Sequence, residues 1–246
     1  MGSSRFPGKP MEKILGIPMI GHVFLRVSMS SNIDYVYVAT CDQVIYDYIQ
    51  SIGGNAVMTS SSHERCTDRT AEAVEKLEND LKVNFDIVLM VQGDEPMVTP
   101  TMIDSSLEEI ESDNSINVIN LIAKITDIEE FIDPNEVKVV KDLSSNALYF
   151  SREPIPSVKK YDSSADWFKQ VCIIPFRKPY LFKFNNLEPT ILEEIESVDM
   201  MRILENGESV KCVEIFEKIY SVDTKEDLKK VEFLMKDDQY IENYRI

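Results

Sequence analysis

Apolar and polar positions along the first half of the chain predict strands that alternate with helices. Ile87–Val91 is a continuous apolar run of strand length, the pattern of a strand buried on both faces. Shorter β-rich runs cover residues 34–40 and 55–59. Helices are predicted in three intervening segments: 19–27, 43–51 and 68–82. This alternation predicts a parallel sheet with right-handed crossover connections.

The second half of the chain has a different pattern of elements. Four runs are predicted as strands: 117–125, 136–142, 147–151 and 171–176. Because they follow one another with few helices between them, we expect a mixed, partly antiparallel extension of the sheet. Helices are predicted over 188–205 and 224–236, and the tail 237–246 is expected to fray.

Composition narrows the class of protein. The 246 residues are 43% hydrophobic and 28% charged, and they contain no apolar run near the length of a membrane span. The net charge of −17 argues against a nucleic-acid surface, which needs clustered lysine and arginine. The four cysteines are scattered, without metal-ligand spacing, and no signal peptide is found. We therefore expect a cytoplasmic protein with reduced thiols and no membrane or nucleic-acid partner.

Two carboxylates follow the central predicted strand. In Gln92–Pro96, Gly93 permits a tight turn and Pro96 ends the strand, which leaves Asp94 and Glu95 at its carboxyl end. Ligands bind at this end of the strands in open α/β sheets, and paired carboxylates beside a phosphate suit Mg²⁺. The alternative is that Asp94 and Glu95 only form a solvated turn.

The chain begins with a flexible loop, 2–10, that contains the two cations Arg5 and Lys9. Backbone N–H groups of such a loop can line an anion nest, and the two cations can neutralise phosphate charge. The alternative is a disordered tail or tag remnant. The regular strand and helix pattern downstream favours the phosphate loop.

Several segments of the sequence resemble those of a known family. The chain is similar to the sugar-activating cytidylyltransferases, and most similar to 3-deoxy-manno-octulosonate (Kdo) cytidylyltransferases. The matching segments run nearly from end to end: Arg5–Pro10, Pro18–Ile20, Val91–Pro96, Asn135–Val140, Ala147–Arg152 and Ser221–Leu228. The resemblance implies a Rossmann-like, mostly parallel sheet flanked by helices, of the nucleotide-diphospho-sugar transferase type, with a smaller mixed-strand extension.

The resemblance also implies a reaction. The anomeric oxygen of a 3-deoxy-2-ulosonic acid would attack the α-phosphate of CTP, with Mg²⁺ as cofactor, to give a CMP-sugar and pyrophosphate. Ser4, Arg5 and Lys9 match the triphosphate loop, and Arg5, Lys9 and Asp94 are the implied catalytic residues. Asp94 and Asp223 match the two metal-binding aspartates. From the residues alone, Asp223 is also a candidate N-cap of the helix 224–236.

Residues 63–69 match the segment of the family that holds cytidine. Thr67 and Arg69 keep the pattern, and Gln92 is a further nucleotide-binding candidate. Asp68 is a shortened acid, and Cys66 stands where the family has a glycine. A side chain at that position is expected to shift the loop.

The resemblance assigns four sugar-binding residues: Gln92, Arg152, Gln170 and Asp199. A bidentate arginine suits the sugar carboxylate. The chain departs from the family where a histidine is replaced by Gln170, a tyrosine by Ile174 and an acid–amide pair by Asp199-Met200. Loss of hydroxyl-binding groups predicts an acceptor other than plain Kdo, such as an amino-substituted or less hydroxylated relative.

We expect one nucleotidyltransferase domain over 1–246, with 1–115 mainly binding nucleotide and 116–220 mainly binding the sugar acid and a partner subunit in a homodimer. The family has an apolar strand before the phosphate loop, which this sequence lacks. The simplest hypothesis is that the natural chain starts upstream of Met1. The other is a shortened gene whose product is inactive, which leaves a noncatalytic CTP- or sugar-binding protein as the alternative function.

Overall fold

The computed structural model describes residues 6–157 and 166–244. Its strands and helices, in chain order, are β1 (Lys13–Ile14), β2 (Ile17–Pro18), α1 (Met19–Val27), β3 (Val38–Thr40), α2 (Gln43–Ser51), β4 (Ala56–Met58), α3 (Cys66–Leu81), β5 (Ile87–Val91), α4 (Pro100–Ser112), β6 (Ile119–Ile125), α5 (Ile128–Ile132), β7 (Lys138–Lys141), β8 (Ala147–Ser151), β9 (Trp167–Val171), β10 (Ile173–Arg177), α6 (Lys178–Asn185), α7 (Ile191–Glu196), α8 (Met200–Glu205), β11 (Lys211–Ile215) and α9 (Lys225–Leu234).

The chain divides into two compact units, each built from separate stretches of sequence. The first unit comprises 1–85, 91–104 and 219–246, and the second comprises 86–90 and 105–218. No helix in the described part of the chain is both long enough and apolar enough to cross a membrane.

The first unit confirms the predicted strand–helix–strand alternation. β3 and β4 pair in parallel, with Val38 opposite Ala56, and α2 connects them. One apolar cluster of this unit contains Ile20 and Phe24 of α1 with Ile45 and Ile49 of α2. α2 has the bounds that its apolar spacing predicts, since the left-handed φ of Gly53 (76°) ends it.

A second apolar cluster of the first unit joins segments that are distant in sequence. Its buried members come from the N-terminal loop, β1, α1, the segment before α9, α9 itself and the C-terminal turns: Phe6, Ile14, Met19, Val222, Val231, Met235 and Ile241. The predicted fraying of the tail is therefore wrong for its described residues. Ile241 is 2% exposed, and Tyr244 is hydrogen-bonded to two buried side chains of α1. Apolar burial and these polar contacts hold the tail in place.

The second unit contains the mixed extension that the sequence predicts. Its five strands lie in the order β11-β6-β9-β7-β8. β11 and β6 are parallel, whereas the other three neighbouring pairs are antiparallel. β5 pairs separately with β10. The predicted strand 171–176 is replaced by β9 and β10, which are separated at Cys172.

The predicted helix 188–205 is two helices. α7 ends before Ser197, whose φ of 53° is left-handed, and α8 begins at Met200. Arg202 donates two hydrogen bonds to the Glu193 carboxylate, at 2.6 Å each. Residues nine apart lie on opposite sides of a continuous helix, so this buried pair requires a break between them. Apolar spacing does not reveal such a break.

Candidate active site

The backbone around Lys9 is fixed by local hydrogen bonds and by its neighbours. Gly8 has a left-handed φ of 79°, which favours glycine, and it leads into a 3₁₀ turn over Lys9–Met11. The Lys9 N–H donates to the Phe6 carbonyl at 3.1 Å, and Phe6 is 3% exposed in the core. The loop that sequence analysis predicts to be flexible is therefore an ordered turn from Phe6 onward. Ser4 and Arg5 lie outside the described residues.

The turn after β5 presents Asp94. Gly93 has no left-handed φ; its role is close packing, because a Cβ atom there would lie 3.0 Å from Ile20 Cδ1. The Asp94 carbonyl accepts the Val222 N–H at 3.0 Å. Glu95 is 1% exposed and accepts a hydrogen bond from Ser221 Oγ at 2.8 Å. The alternative of a solvated turn is thus wrong for Glu95, which attaches this turn to 221–222.

The helix cap next to Asp223 belongs to another residue. Thr224 is the N-cap of α9, and its Oγ1 accepts the Asp227 N–H at 3.1 Å. The Asp227 carboxylate accepts the N–H groups of Thr224 at 2.8 Å and Asp223 at 3.1 Å. The capping alternative for Asp223 is therefore wrong, and its carboxylate is directed toward Lys9.

Lys9, Asp94 and Asp223 form what we call the lysine–dicarboxylate cluster, which lies within the first unit. Lys9 Nζ donates to Asp94 Oδ2 at 2.7 Å and to Asp223 Oδ1 at 3.3 Å. The Lys9 side chain is 10% exposed, and the two carboxylates are 24% and 23% exposed. Burial opposes the charge of Lys9, but the two carboxylates outweigh it and raise the pKa of the ammonium above 10.5.

The cluster also fits a divalent cation. Within 6–157 and 166–244, no group of three or more His, Cys, Asp or Glu side chains could hold a metal. Mg²⁺ in nucleotide sites uses one or two carboxylates and completes its shell with phosphate and water oxygens. Asp94 and Asp223 direct oxygens to a common cation, so this pair has the donor chemistry that Mg²⁺ requires.

The predicted cytidine segment is a braced loop. Arg69 donates to Thr59 Oγ1 at 2.5 Å and to the Ser60 carbonyl at 3.2 Å, so its guanidinium shapes the loop. Thr67 is fully buried. Glu72 accepts from Lys76 at 2.6 Å, from the Ser60 N–H at 2.9 Å and from His63, and these hydrogen bonds lower the pKa of Glu72 to about 2.

Glu72 is not among the site residues predicted from the sequence. Glu72 lies within a helical segment, and its hydrogen bonds to the preceding loop can be predicted only if that loop is known to fold back onto the helix. Gln92, the remaining nucleotide candidate, is half-buried at the end of β5 in the first unit.

The other sugar-site candidates lie in the second unit. Arg152 donates to the backbone carbonyls of Glu196 at 2.7 Å and Pro134 at 3.0 Å. Lys138, fully buried, donates to the carbonyl of Arg152 at 2.5 Å. Burial lowers the pKa of Lys138. Arg152 is therefore held in place by backbone groups.

Glu196 and Lys138 are supporting residues that sequence analysis missed. The Glu196 carboxylate accepts the Ser151 hydroxyl at 3.0 Å and the Arg152 N–H at 2.9 Å. For Lys138, the sequence offers one signal: it begins the strand Lys138–Lys141, in which the next two residues are apolar. A lysine buried in such a strand needs polar partners for its charge.

The two remaining candidates have different surroundings. Gln170 donates to Asn120 Oδ1 at 2.6 Å, and Asn120 is fully buried. Asp199 immediately precedes α8. Of the predicted site residues, the structure brings Asp94 and Asp223 into direct contact with Lys9.

The α/β fold and the lysine–dicarboxylate cluster after β5 define the chain as a nucleotidyltransferase. The model of the cytidylyltransferase family matches residues 1–240, and the chain belongs to this family. The family resemblance and the predicted fold class are both confirmed.

Relatives and a solved structure agree with this assignment. A 3-deoxy-manno-octulosonate cytidylyltransferase from Geotalea daltonii is 40% identical over 245 residues, which is 96% of this chain and 94% of the relative. One from Syntrophus aciditrophicus is 42% identical over 229 residues, covering 93% and 91% of the two chains. The structure of a CMP:2-keto-3-deoxy-manno-octonic acid synthetase complexed with CTP superposes with a TM-score of 0.85, at 36% identity, over 95% of this chain and 94% of that one.

Proposed function

We propose that the protein transfers the cytidylyl group of CTP to the anomeric oxygen of a 3-deoxy-2-ulosonic acid, Kdo or an amino-substituted relative, and releases pyrophosphate. The contact of Lys9 with both Asp94 and Asp223 carries this proposal. A noncatalytic binding protein has no need for two carboxylates held by separate backbone contacts around one cation. The named relatives support the choice of CTP and of the sugar-acid class.

Lys9 neutralises triphosphate charge in this mechanism. Its raised pKa keeps the ammonium protonated at neutral pH. Phosphoryl-group chemistry of this kind asks the protein mainly for positioning and for charge stabilisation on the leaving group. Arg5 and Ser4 join Lys9 at the phosphates in this proposal on the strength of the family resemblance.

Asp94 and Asp223 would hold Mg²⁺. When bound, the ion supplies charge neutralisation for the phosphate oxygens. The protein prepares the two ligands through the Val222–Asp94 backbone hydrogen bond and through Asp227, which fixes the Asp223 N–H. The cap formed by Thr224 leaves the Asp223 side chain available for this role.

Thr67, Arg69 and Gln92 are proposed to bind the nucleotide. The bonds from Arg69 to Thr59 and Ser60 and the bond from Ser60 to Glu72 support a preformed loop at this position. A preformed loop lowers the entropic cost of ordering on binding. Cys66 is the first residue of α3 and is exposed, so a side chain is accommodated where the family has a glycine.

The acceptor is proposed to contact Arg152, Gln170 and Asp199, with Arg152 at the sugar carboxylate. Gln92 is kept as a further sugar-binding candidate on the strength of the family resemblance. Ile174 and Met200, which replace polar family residues, are 2% and 1% exposed. Buried apolar side chains cannot hydrogen-bond sugar hydroxyls. This supports an acceptor with an altered hydroxyl pattern, in line with the sequence-based prediction.

We also propose that the protein works as a cytoplasmic homodimer, with residues 1–115 mainly binding the nucleotide and 116–220 mainly binding the sugar acid and the partner subunit. The lack of any disulfide among the four described cysteines supports a reducing compartment.

Large exposed apolar side chains of the second unit support a subunit contact in the proposed homodimer: Leu148, Ile191 and Ile195. Light scattering of the purified protein tests this: a monomer mass at micromolar concentration would contradict the dimer.

The proposed reaction is tested by pyrophosphate release from CTP and Mg²⁺ across a panel of 2-keto-3-deoxy sugar acids that includes Kdo and an amino-substituted derivative. Release with at least one acid, abolished in Asp94→Asn, is expected. Absence of release with every acid would contradict the proposed function.

A further inference from the structure

The ammonium of Lys9 occupies the point toward which both carboxylates of the cluster are directed. The carboxylates themselves are held by other contacts: the Asp94 carbonyl by Val222, and the Asp223 N–H by Asp227. The positions of both acids therefore do not depend on Lys9 alone. A second cation placed between them would compete with Lys9 Nζ for Asp94 Oδ2 and Asp223 Oδ1.

We propose that Lys9 is the resident counterion of the metal position, so that a divalent cation binds Asp94 and Asp223 only by displacing the Lys9 ammonium. This inference rests on the proposed function, since it takes these two aspartates as the metal ligands. It adds to that function a relation between metal and nucleotide. A triphosphate offers the displaced ammonium a new anionic partner, so the metal and CTP load together.

Displacement is confined to the side chain. The backbone of Lys9 is fixed by its N–H bond to Phe6 at 3.1 Å and by the Glu12 N–H bond to its carbonyl at 3.1 Å. The four-carbon stem of lysine is flexible and its ammonium is a compact point charge, so Nζ can leave the carboxylates while the turn stays in place. Without that movement, an ammonium and a dication would lie side by side and repel one another.

Removal of the Lys9 charge should therefore strengthen metal binding in the absence of nucleotide. We would titrate the full chain with Mn²⁺ alone and follow the free ion by electron paramagnetic resonance. Lys9→Met is expected to bind Mn²⁺ roughly tenfold more tightly than the unaltered chain, because one partly buried ammonium no longer competes for the two carboxylates. Lys9→Arg keeps the charge and should bind Mn²⁺ as weakly as the unaltered chain.

Two further variants identify the site and protect the test from a folding defect. Lys9→Met combined with Asp94→Asn should lose the gain, which assigns the Mn²⁺ to the cluster. Lys9→Gln is a second neutral variant, and Mn²⁺ should raise the thermal unfolding midpoint of both neutral variants more than that of the unaltered chain. Unchanged or weaker Mn²⁺ binding in both neutral variants would overturn the inference.

The outcome is separable from the proposed reaction. If the unaltered chain releases pyrophosphate but neither neutral variant gains Mn²⁺ affinity, the counterion inference fails and the proposed function stands. If no sugar acid supports pyrophosphate release but the neutral variants gain Mn²⁺ affinity through Asp94, the inference stands and the proposed function fails.

Discussion

Asp223 and Thr224 show how a helix cap is assigned to one of two adjacent candidates. Both residue types cap helices well, so sequence alone left the metal and capping roles of Asp223 open. The structure assigns the cap to Thr224 through backbone geometry, because Thr224 has the extended φ and ψ of an N-cap, −126° and 171°. Which of two adjacent residues caps the helix depends on where the chain enters the helix. The fully buried Val222 side chain holds the chain at that point.

This division predicts opposite effects of two neighbouring substitutions. Thr224→Ala removes the hydrogen bond to the Asp227 N–H and should lower the free energy of unfolding by about 1 kcal/mol while turnover is retained. Asp223→Asn should reduce kcat by roughly 100-fold or more, with little change in stability, because it removes a charged ligand and not a cap.

Urea denaturation and pyrophosphate release measure the two effects on the same preparations. Asp223→Asn and Thr224→Ala serve as matched controls for one another. Equal losses of turnover in both variants would show that the cap and the metal ligand are not separate.

At the scale of elements, the local sequence pattern was sufficient to predict those helices and strands whose buried positions recur regularly. α2 and β8 have the predicted bounds, and β5 follows the apolar run. The break between α7 and α8 could not be predicted, because it depends on the contact of Arg202 with Glu193 within the second unit. The ordered C-terminal segment depends on α1, whose buried His22 and Arg26 looked like ordinary helix residues in sequence.

The C-terminal segment is held by a small polar network. The Tyr244 hydroxyl lies 2.8 Å from His22 Nδ1 and accepts a hydrogen bond from Arg26 Nε at 2.9 Å. His22 Nε2 lies 2.7 Å from the Ile14 carbonyl. A carbonyl only accepts, so Nε2 carries the proton and Nδ1 accepts from the Tyr244 hydroxyl. The His22 Nε2–H, the Tyr244 hydroxyl and the Arg26 Nε–H therefore each have an acceptor.

Loss of the Tyr244 hydroxyl should destabilise the protein. Tyr244→Phe leaves a buried imidazole nitrogen and a guanidinium N–H without this partner, and it should lower the free energy of unfolding by about 1–3 kcal/mol. Tyr240→Phe is the control, since Tyr240 offers its ring face to Arg26. Urea denaturation of both variants checks this; equal effects would show that the hydroxyl bridge contributes nothing specific.

At the scale of the whole molecule, the sequence indicated the α/β class, the mixed second half and the identity of the lysine–dicarboxylate cluster. It could not reveal the supporting contacts of Glu72, Lys138 and Glu196, because each joins segments whose proximity is known only after folding. The same holds for the buried contacts of His22 with Tyr244 and Ile14.

Global stability should fall in mild acid because of His22. Burial lowers the pKa of His22 below 6.5, and the charge of Arg26 acts in the same direction against the opposing hydrogen bond to Ile14. A base with a lowered folded-state pKa stabilises the fold fully above 6.5, and this contribution is lost as the pH falls below 6.5 toward the folded-state pKa.

Between pH 6.5 and 5.5, His22 should therefore contribute a loss of at most about 1.4 kcal/mol in the free energy of unfolding. Urea denaturation across this range measures it, with His22→Gln as the variant that lacks the titrating ring. The same pH dependence in both proteins would contradict the role of His22.

The central claim, cytidylyl transfer to a sugar acid, is tested most directly by ³¹P nuclear magnetic resonance of a mixture of the protein, CTP, Mg²⁺ and the preferred sugar acid. We expect the three CTP resonances to be replaced by one phosphodiester resonance of a CMP-sugar and one of pyrophosphate, with the two products in equal molar amounts. Asp94→Asn should leave the CTP resonances unchanged. Phosphate or pyrophosphate without the phosphodiester, or unchanged CTP with every acid, would contradict it.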